Sequence, residues 1–363
     1  MDEGVKLINE YKKANAALEP FAAADILMPA GKRTLSQWMK FANSLRLRLA
    51  IRVSMSAPDL ARAEVAKAMD ATAGGVLESA DETVAVSTES GYKNPLGTVN
   101  EGWGEVFMGA TMESVLVGYN DPRLIKYYSK AEGGDIKDEK GNLIIAERNK
   151  IAGTYKGVPQ GTGVTVKDEN RYRLHSKSTI TKQTDAILMT AAEVWFLRAE
   201  AALRGFTSEN VKDCYEKGIT VSCQQWGVNV GDYLTSDATP SDYVDAFEAK
   251  YDVKALIKVT PKWDGGASPE EQLERILTQK WIACYPEGYE AWTEQRRTGY
   301  PQLFKVFVNN SGGAIDTNIR IRRLPYPSDI QKNNPTQYSA LKKALGGEDN
   351  GGTRLWWDTG RNF

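Results

Sequence analysis

Few residues in this chain have the chemistry to act on a substrate, and most of those that do are acids. Glu193 with Glu200, and Glu287 with Glu290, can be proposed as paired carboxylates, the minimum a glycosidase needs. Both pairs fall in segments of helical period. Glu193 and Glu200 share a segment dominated by packing residues, and Glu287 and Glu290 stand close to Arg296 and Arg297. Ion pairing there keeps a carboxylate charged instead of raising its pKa for acid catalysis. His175 is the single histidine, which leaves little for general-base chemistry or a zinc site, and no G-x-S-x-G, H-E-x-x-H, P-loop or G-x-G-x-x-G context occurs. Cys214, Cys223 and Cys284 form no C-x-x-C pair. The first two are nine residues apart on one expected helix, too far along its axis for a disulfide, so all three read as buried, inert thiols. Arg46, Arg48 and Arg52 could take a phosphate or sulfate, but stems lying along a helix with heads paired to carboxylates is the preferred reading. We expect no catalytic residue, no metal and no cofactor.

Bulk properties narrow the partners. Lys and Arg number 46 against 47 Asp and Glu, so a net charge of −1 provides no global field to attract nucleic acid. The chain is 41% hydrophobic and 26% charged, as an ordinary globular protein is. No run of eighteen apolar residues occurs, and Met1 is followed by Asp2-Glu3 instead of a basic and then apolar leader, so the chain reads as soluble.

Helices must position whatever site exists. Ser268, Pro269 and Glu271 form a capping box with proline at the first helical position, opening a helix whose stripe is Leu273, Ile276, Leu277, Lys280, Trp281 and Cys284. Pro286 and Gly288 break it, and a shorter helix carries Tyr289, Trp292, Arg296 and Arg297. Earlier, Gly4 to Leu18 reads as an amphipathic helix. Thr34 and Gln37 cap a longer one with Leu35, Trp38, Ala42, Leu45 and Leu49 as its stripe, and a third runs from Pro58 to about Ala71. Asp185 to Phe206 reads as helical throughout, and a partner follows around Asn210–Trp226, in which Tyr215 and Ile219 supply packing. The spacing of these pairs is of tetratricopeptide type. Between them, Val76 to Lys182 is glycine-rich, with short strands, one helix near Met108–Val117, and a hairpin turn at Asp138–Asn142. Tyr92, Trp103, Tyr155 and Tyr172 lie inside it, and long irregular segments on a helical scaffold are where binding usually resides.

A set of spaced segments carries a resemblance. Gln279–Leu303 (QKWIACYPEGYEAWTEQRRTGYPQL), Arg322–Pro327, Asn333–Tyr338, Phe41–Arg52, Asn120–Leu124, Thr154–Gly161, AEVWFLRAEAALRG and Leu355–Asp358 are together similar to the SusD/RagB family of Bacteroidetes outer-membrane nutrient-binding lipoproteins. The resemblance covers most of the chain. It implies a mainly α fold, with tetratricopeptide-like helix pairs forming a right-handed scaffold around a loop-rich, partly β region. The chain would be one unit with four parts: a helical scaffold 1–75, a ligand-binding region 76–182, helix pairs 183–300, and an extended C-terminal segment 301–363. It also implies cell-surface capture of a nutrient, a glycan in preference to others, for a TonB-dependent SusC-type transporter. Anchoring would be through a lipidated cysteine that family members carry in residues preceding this chain.

In such proteins exposed aromatic rings hold the glycan, because the apolar C–H face of a pyranose stacks on indole or phenol. Trp103, between Gly102 and Gly104, is the first choice here, followed by Tyr92, Tyr155, Trp226 and Trp263. The competing reading for each ring is packing against the scaffold. Trp38, Trp195, Trp281 and Trp292 sit on helical stripes and read as core, and Trp356 and Trp357 as braces. Two rival functions remain open: a glycoside hydrolase, and a peptide- or protein-binding helical repeat.

Overall fold

A computed structural model describes residues 1–163 and 170–363, so the 76–182 region lacks a description at 164–169. The fold is mainly helical. In chain order come α1 (Asp2–Ala14), α2 (Leu35–Arg52), α3 (Pro58–Met69), β1 (Val84–Val86), α4 (Pro95–Trp103), α5 (Ala110–Gly118) and α6 (Leu124–Tyr127). Then follow β2 (Ile136–Lys137), β3 (Leu143–Ile145), β4 (Ala186–Met189), α7 (Ala191–Leu203), α8 (Val211–Gln225), α9 (Pro269–Ala283), α10 (Gly288–Thr298), α11 (Ser328–Asn333) and α12 (Pro335–Leu345).

Helix starts fall where side chains can satisfy the free backbone donors. Ser268 Oγ accepts from Glu271 N at 3.3 Å while Glu271 Oε2 accepts from Ser268 N at 3.0 Å, completing the reciprocal box of α9. The Thr34 and Thr190 hydroxyls accept from Gln37 N and Glu193 N at the starts of α2 and α7, each at 3.1 Å. Five expectations need correction, the first being the extended C-terminal segment 301–363, which contains α11 and α12. Helix α1 ends at Ala14 and buries no residue, so Leu18 is outside it. The buried face of α2 is Leu35, Met39, Asn43, Arg46, Leu47 and Ala50, while Leu49 is 48% exposed. Residues 186–189 are a strand paired antiparallel to β1, because Val84–Val86 offers a partner that local periodicity cannot show. Finally, the glycine-rich region holds α4 and α6 as well as the expected helix at α5. The Asp138–Asn142 hairpin turn is present, with Asp138 N donating to Asn142 O at 2.9 Å.

The main core lies between α2, α3, α7, α8 and α9, around Leu47, Ile51, Val65, Phe196, Tyr215 and Ile276. Gly218 lets α8 approach α7, since a Cβ there would come within 2.8 Å of the Phe196 ring. Charges are buried beside this apolar core. Lys280 Nζ lies 3.0 Å from Glu290, 3.4 Å from Glu294 and 3.9 Å from Glu193. Arg48 pairs with Glu193 and Arg52 with Glu290, each at 2.5 Å, and Arg297 binds Glu200 at 2.7 Å and Glu294 at 2.5 Å. Burial alone would lower the Lys280 pKa, but Glu294, Glu290 and Glu193 outweigh it and hold the ammonium above its ordinary value. The network therefore joins α2, α7, α9 and α10. Removing one partner strands a buried charge, so Lys280→Met is expected to lower the unfolding free energy by about 3–5 kcal/mol. Urea denaturation checks this, and a loss below about 1 kcal/mol, the range of an exposed pair, would contradict it.

Candidate ligand site

Helix α10 has two working faces. Glu290, Glu294 and Arg297 point into the charged network, whereas Gly288, Ala291, Trp292 and Gln295 line a cavity of about 760 Å³. Trp281 of α9 borders it beside them, Met112 of α5 and Tyr128 face it from the glycine-rich region, and Phe304 and Ile321 close its outer side. A smaller cavity of about 230 Å³ shares Met112, Tyr128, Trp281, Gly288 and Ala291 with the larger one. It extends the groove toward Leu96 of α4, Phe107 and Glu287.

The rings of this groove are held firmly. The Trp292 indole N–H donates to Ile321 O at 3.2 Å, and the Arg296 guanidinium covers its face at 3.6 Å. Tyr285 stacks on Tyr127 with centroids 4.3 Å apart, and its hydroxyl bonds Ser178 Oγ at 2.6 Å. Helix α4 is pinned to the neighbouring chain because Asn100 Nδ2 donates to Ser178 O at 2.7 Å and Ile180 O at 2.8 Å. Gly97 makes that approach possible, as a Cβ there would come 2.1 Å from the Thr181 carbonyl carbon. At the end of α4, Gly104 turns the chain with φ +65° and leaves Trp103 63% exposed. Tyr289, next to Gly288, is 75% exposed.

The sequence-derived candidates are dispersed. Trp103 stands three residues ahead of Val106, which lines the smaller cavity. Tyr92 is half-buried in a separate turn. Tyr155 is half-buried against the main core, Trp226 meets the Tyr127 ring edge-on at 4.8 Å, and Trp263 packs 5.1 Å from Tyr215. None of the five lines the groove itself. Trp281 and Trp292, expected in the core, are half-buried and line it. The signal available for them is the small residues Gly288 and Ala291 beside bulky rings, which leave space that a packed helix face would fill.

The comparisons with known proteins follow the same outline. The family model described as SusD-like, Susd and RagB outer membrane lipoprotein, matches residues 1–358. The chain belongs to the SusD/RagB family. Among solved structures, a SusD homologue from Bacteroides vulgatus is 49% identical, with TM-score 0.89 over 100% of this chain and 70% of that one. A chitin-binding SusD homologue from Flavobacterium johnsoniae is 35% identical, with TM-score 0.88 over 99% of this chain and 70% of its own. A SusD homologue from Bacteroides thetaiotaomicron is 31% identical, with TM-score 0.84 over 99% and 72%. No curated protein sequence matches the chain. No helix among the described residues is long and apolar enough to cross a membrane.

Within this SusD-like fold the acids behave unequally. Glu290 is paired with Lys280 and Arg52, not with Arg296 or Arg297, and these cations outweigh burial to hold it below the carboxylate range. Glu200 pairs with Arg297 and Arg204. Glu287 departs from expectation: it makes no ion pair among the described residues, and burial followed by the Glu193 charge pushes it up to about 7. Its Oε2 accepts from Glu290 N at 2.9 Å and so caps α10. His175 is buried against Tyr172 and Phe247, and burial pushes it down to about 3, so the ring is neutral. The cysteines are free and buried, with Cys214 and Cys223 pushed up to about 11 by that burial.

A carboxyl whose folded pKa is raised binds its proton more tightly in the folded state. Its contribution to stability is present below the unfolded pKa and is lost as pH rises through about 7. Glu287→Gln keeps the cap without the charge, so its melting temperature should exceed that of the unmodified chain at pH 8 and converge with it at pH 5. An equal difference at both pH values would contradict this assignment.

Proposed function

We propose that this SusD-like chain captures glycan at the groove between α4, α5, α9 and α10 and passes it to a SusC-type TonB-dependent transporter at the outer-membrane surface. The observation that carries the reading is the groove's composition. Trp281, Trp292 and Tyr128 line it beside the amides of Gln160, Gln295 and Asn309, with exposed Tyr289 next to Gly288 and exposed Trp103 three residues ahead of Val106. Pyranose rings have an apolar face and a hydroxyl rim, so rings and amides in one groove match both. A half-exposed indole such as Trp103 gains when a sugar face removes it from water. The family assignment and the chitin-binding relative, 35% identical, support a glycan over a peptide.

A hydrolase is disfavoured by the same lining. Glu287 is the sole carboxylate among the described residues bordering the two cavities, and hydrolysis by the usual route needs two. The neighbouring acids are spent in the ion-pair network.

Calorimetric titration with chitotetraose and a panel of plant and host oligosaccharides tests the reading. Trp103→Ala and Tyr289→Ala should each weaken binding by up to about tenfold, the worth of one stacked ring. Unchanged affinity with an intact circular dichroism spectrum would remove that ring from the site. Release of reducing ends from any member of the panel would replace the binding reading with a hydrolase.

A further inference from the structure

Arg320 is the one charged side chain, among the described residues, that lines the larger cavity. It makes no ion pair among them, in contrast to its neighbours Arg322 and Arg323, which pair with Asp358 and Asp349 at 2.6 Å each. Its Nη1 donates to Gln160 Oε1 at 2.7 Å, while Nη2 is buried with no partner. A guanidinium held half out of water by a neutral amide has lost hydration without gaining a counter-charge. Burial accordingly lowers its pKa.

The backbone adds a second observation. Arg320 has φ +65°, a left-handed conformation that costs an ordinary side chain about 1 kcal/mol and favours glycine or asparagine. The turn that imposes it is well made: Asp316 Oδ1 accepts from Asn318 N at 2.7 Å and Asp316 O accepts from Arg320 N at 2.8 Å. A local outlier bearing an unpaired cation into a cavity is the pattern that marks a ligand contact.

We infer that the glycan taken by this groove is acidic, with its carboxylate or sulfate received by Arg320. The inference rests on the glycan reading above and narrows it. The amides of Gln160 and Gln295 and the rings of Trp281 and Trp292 would bind the neutral part of the same ligand. A guanidinium takes a carboxylate or a sulfate through charge-assisted hydrogen bonds, so both acidic chemistries fit.

The test is calorimetric titration with matched pairs that differ only in charge. The pairs are tetragalacturonate and its methyl ester, chondroitin sulfate tetrasaccharide and its desulfated form, and 3′-sialyllactose and lactose, with chitotetraose as a neutral reference. At least one acidic member should bind about tenfold or more tightly than its neutral partner, a preference that weakens with added salt. Arg320→Gln should erase the preference by weakening the acidic members far more than the neutral ones, with the circular dichroism spectrum unchanged, and Arg320→Lys should keep part of it. Neutral members binding as well as acidic ones, or a preference that survives Arg320→Gln, would overturn the acidic ligand and leave glycan binding standing. No binding by any pair or by chitotetraose would overturn both.

Discussion

Lys280 is the point on which the arrangement of four helices depends. Its ammonium has 1% side-chain exposure and is placed among Glu193, Glu290 and Glu294, which arrive from α7 and α10, while α2 contributes Arg48 and Arg52 to the same acids. In a low-dielectric interior such a set is tolerable only when every member is partnered, since a single charge left over costs several kcal/mol. Few mutual placements of α2, α7, α9 and α10 satisfy that condition. Apolar packing alone, which is non-directional, would accept many more.

The groove inherits its geometry from this constraint. Because Glu290, Glu294 and Arg297 must face the network, the helical period leaves Gly288, Ala291, Trp292 and Gln295 for the opposite side of α10. The cis Tyr285–Pro286 bond and the cap from Glu287 join α9 to α10 at that corner. Glu287 sits on the boundary between the two faces. It caps a helix, borders the smaller cavity and makes no ion pair with the cations that hold its neighbours charged, and for that reason its environment differs from theirs.

Much of the scaffold was legible because its determinants are local. The Ser268–Glu271 box, the α7–α8 and α9–α10 pairs, the Asp138–Asn142 hairpin and the buried thiols are all settled by residues within one turn or one helix of each other, and the spaced motifs named the family. What escaped has distant causes. Asn43 is buried in α2 because its amide reaches Ala73 O at 2.7 Å and Gly75 O at 2.9 Å, so the polar side of that helix faces inward and Leu49 outward. Residues 186–189 become a strand through a partner some hundred positions away. The groove is harder still, being built from pieces near 110, 128, 288 and 304. A helical stripe states that Trp281 and Trp292 face inward, but not whether a neighbour or a cavity lies opposite.

Residues 301–321 form the groove's outer wall without a helix or strand of their own. They are fastened by hydrogen bonds from their backbone amides, Phe304 N to the Thr111 hydroxyl at 3.0 Å and Phe307 N and Val308 N to the carbonyls of Gln160 and Gly161, and beyond their end by Arg322 against Asp358. No member of the Lys280 network belongs to this segment. Wall and frame are therefore thermodynamically separable: insertions or exchanged side chains between the fastenings would reshape what the groove admits at little expense to folding. Under the proposed glycan reading, one rigid frame serves ligands of different shape through a short, replaceable panel.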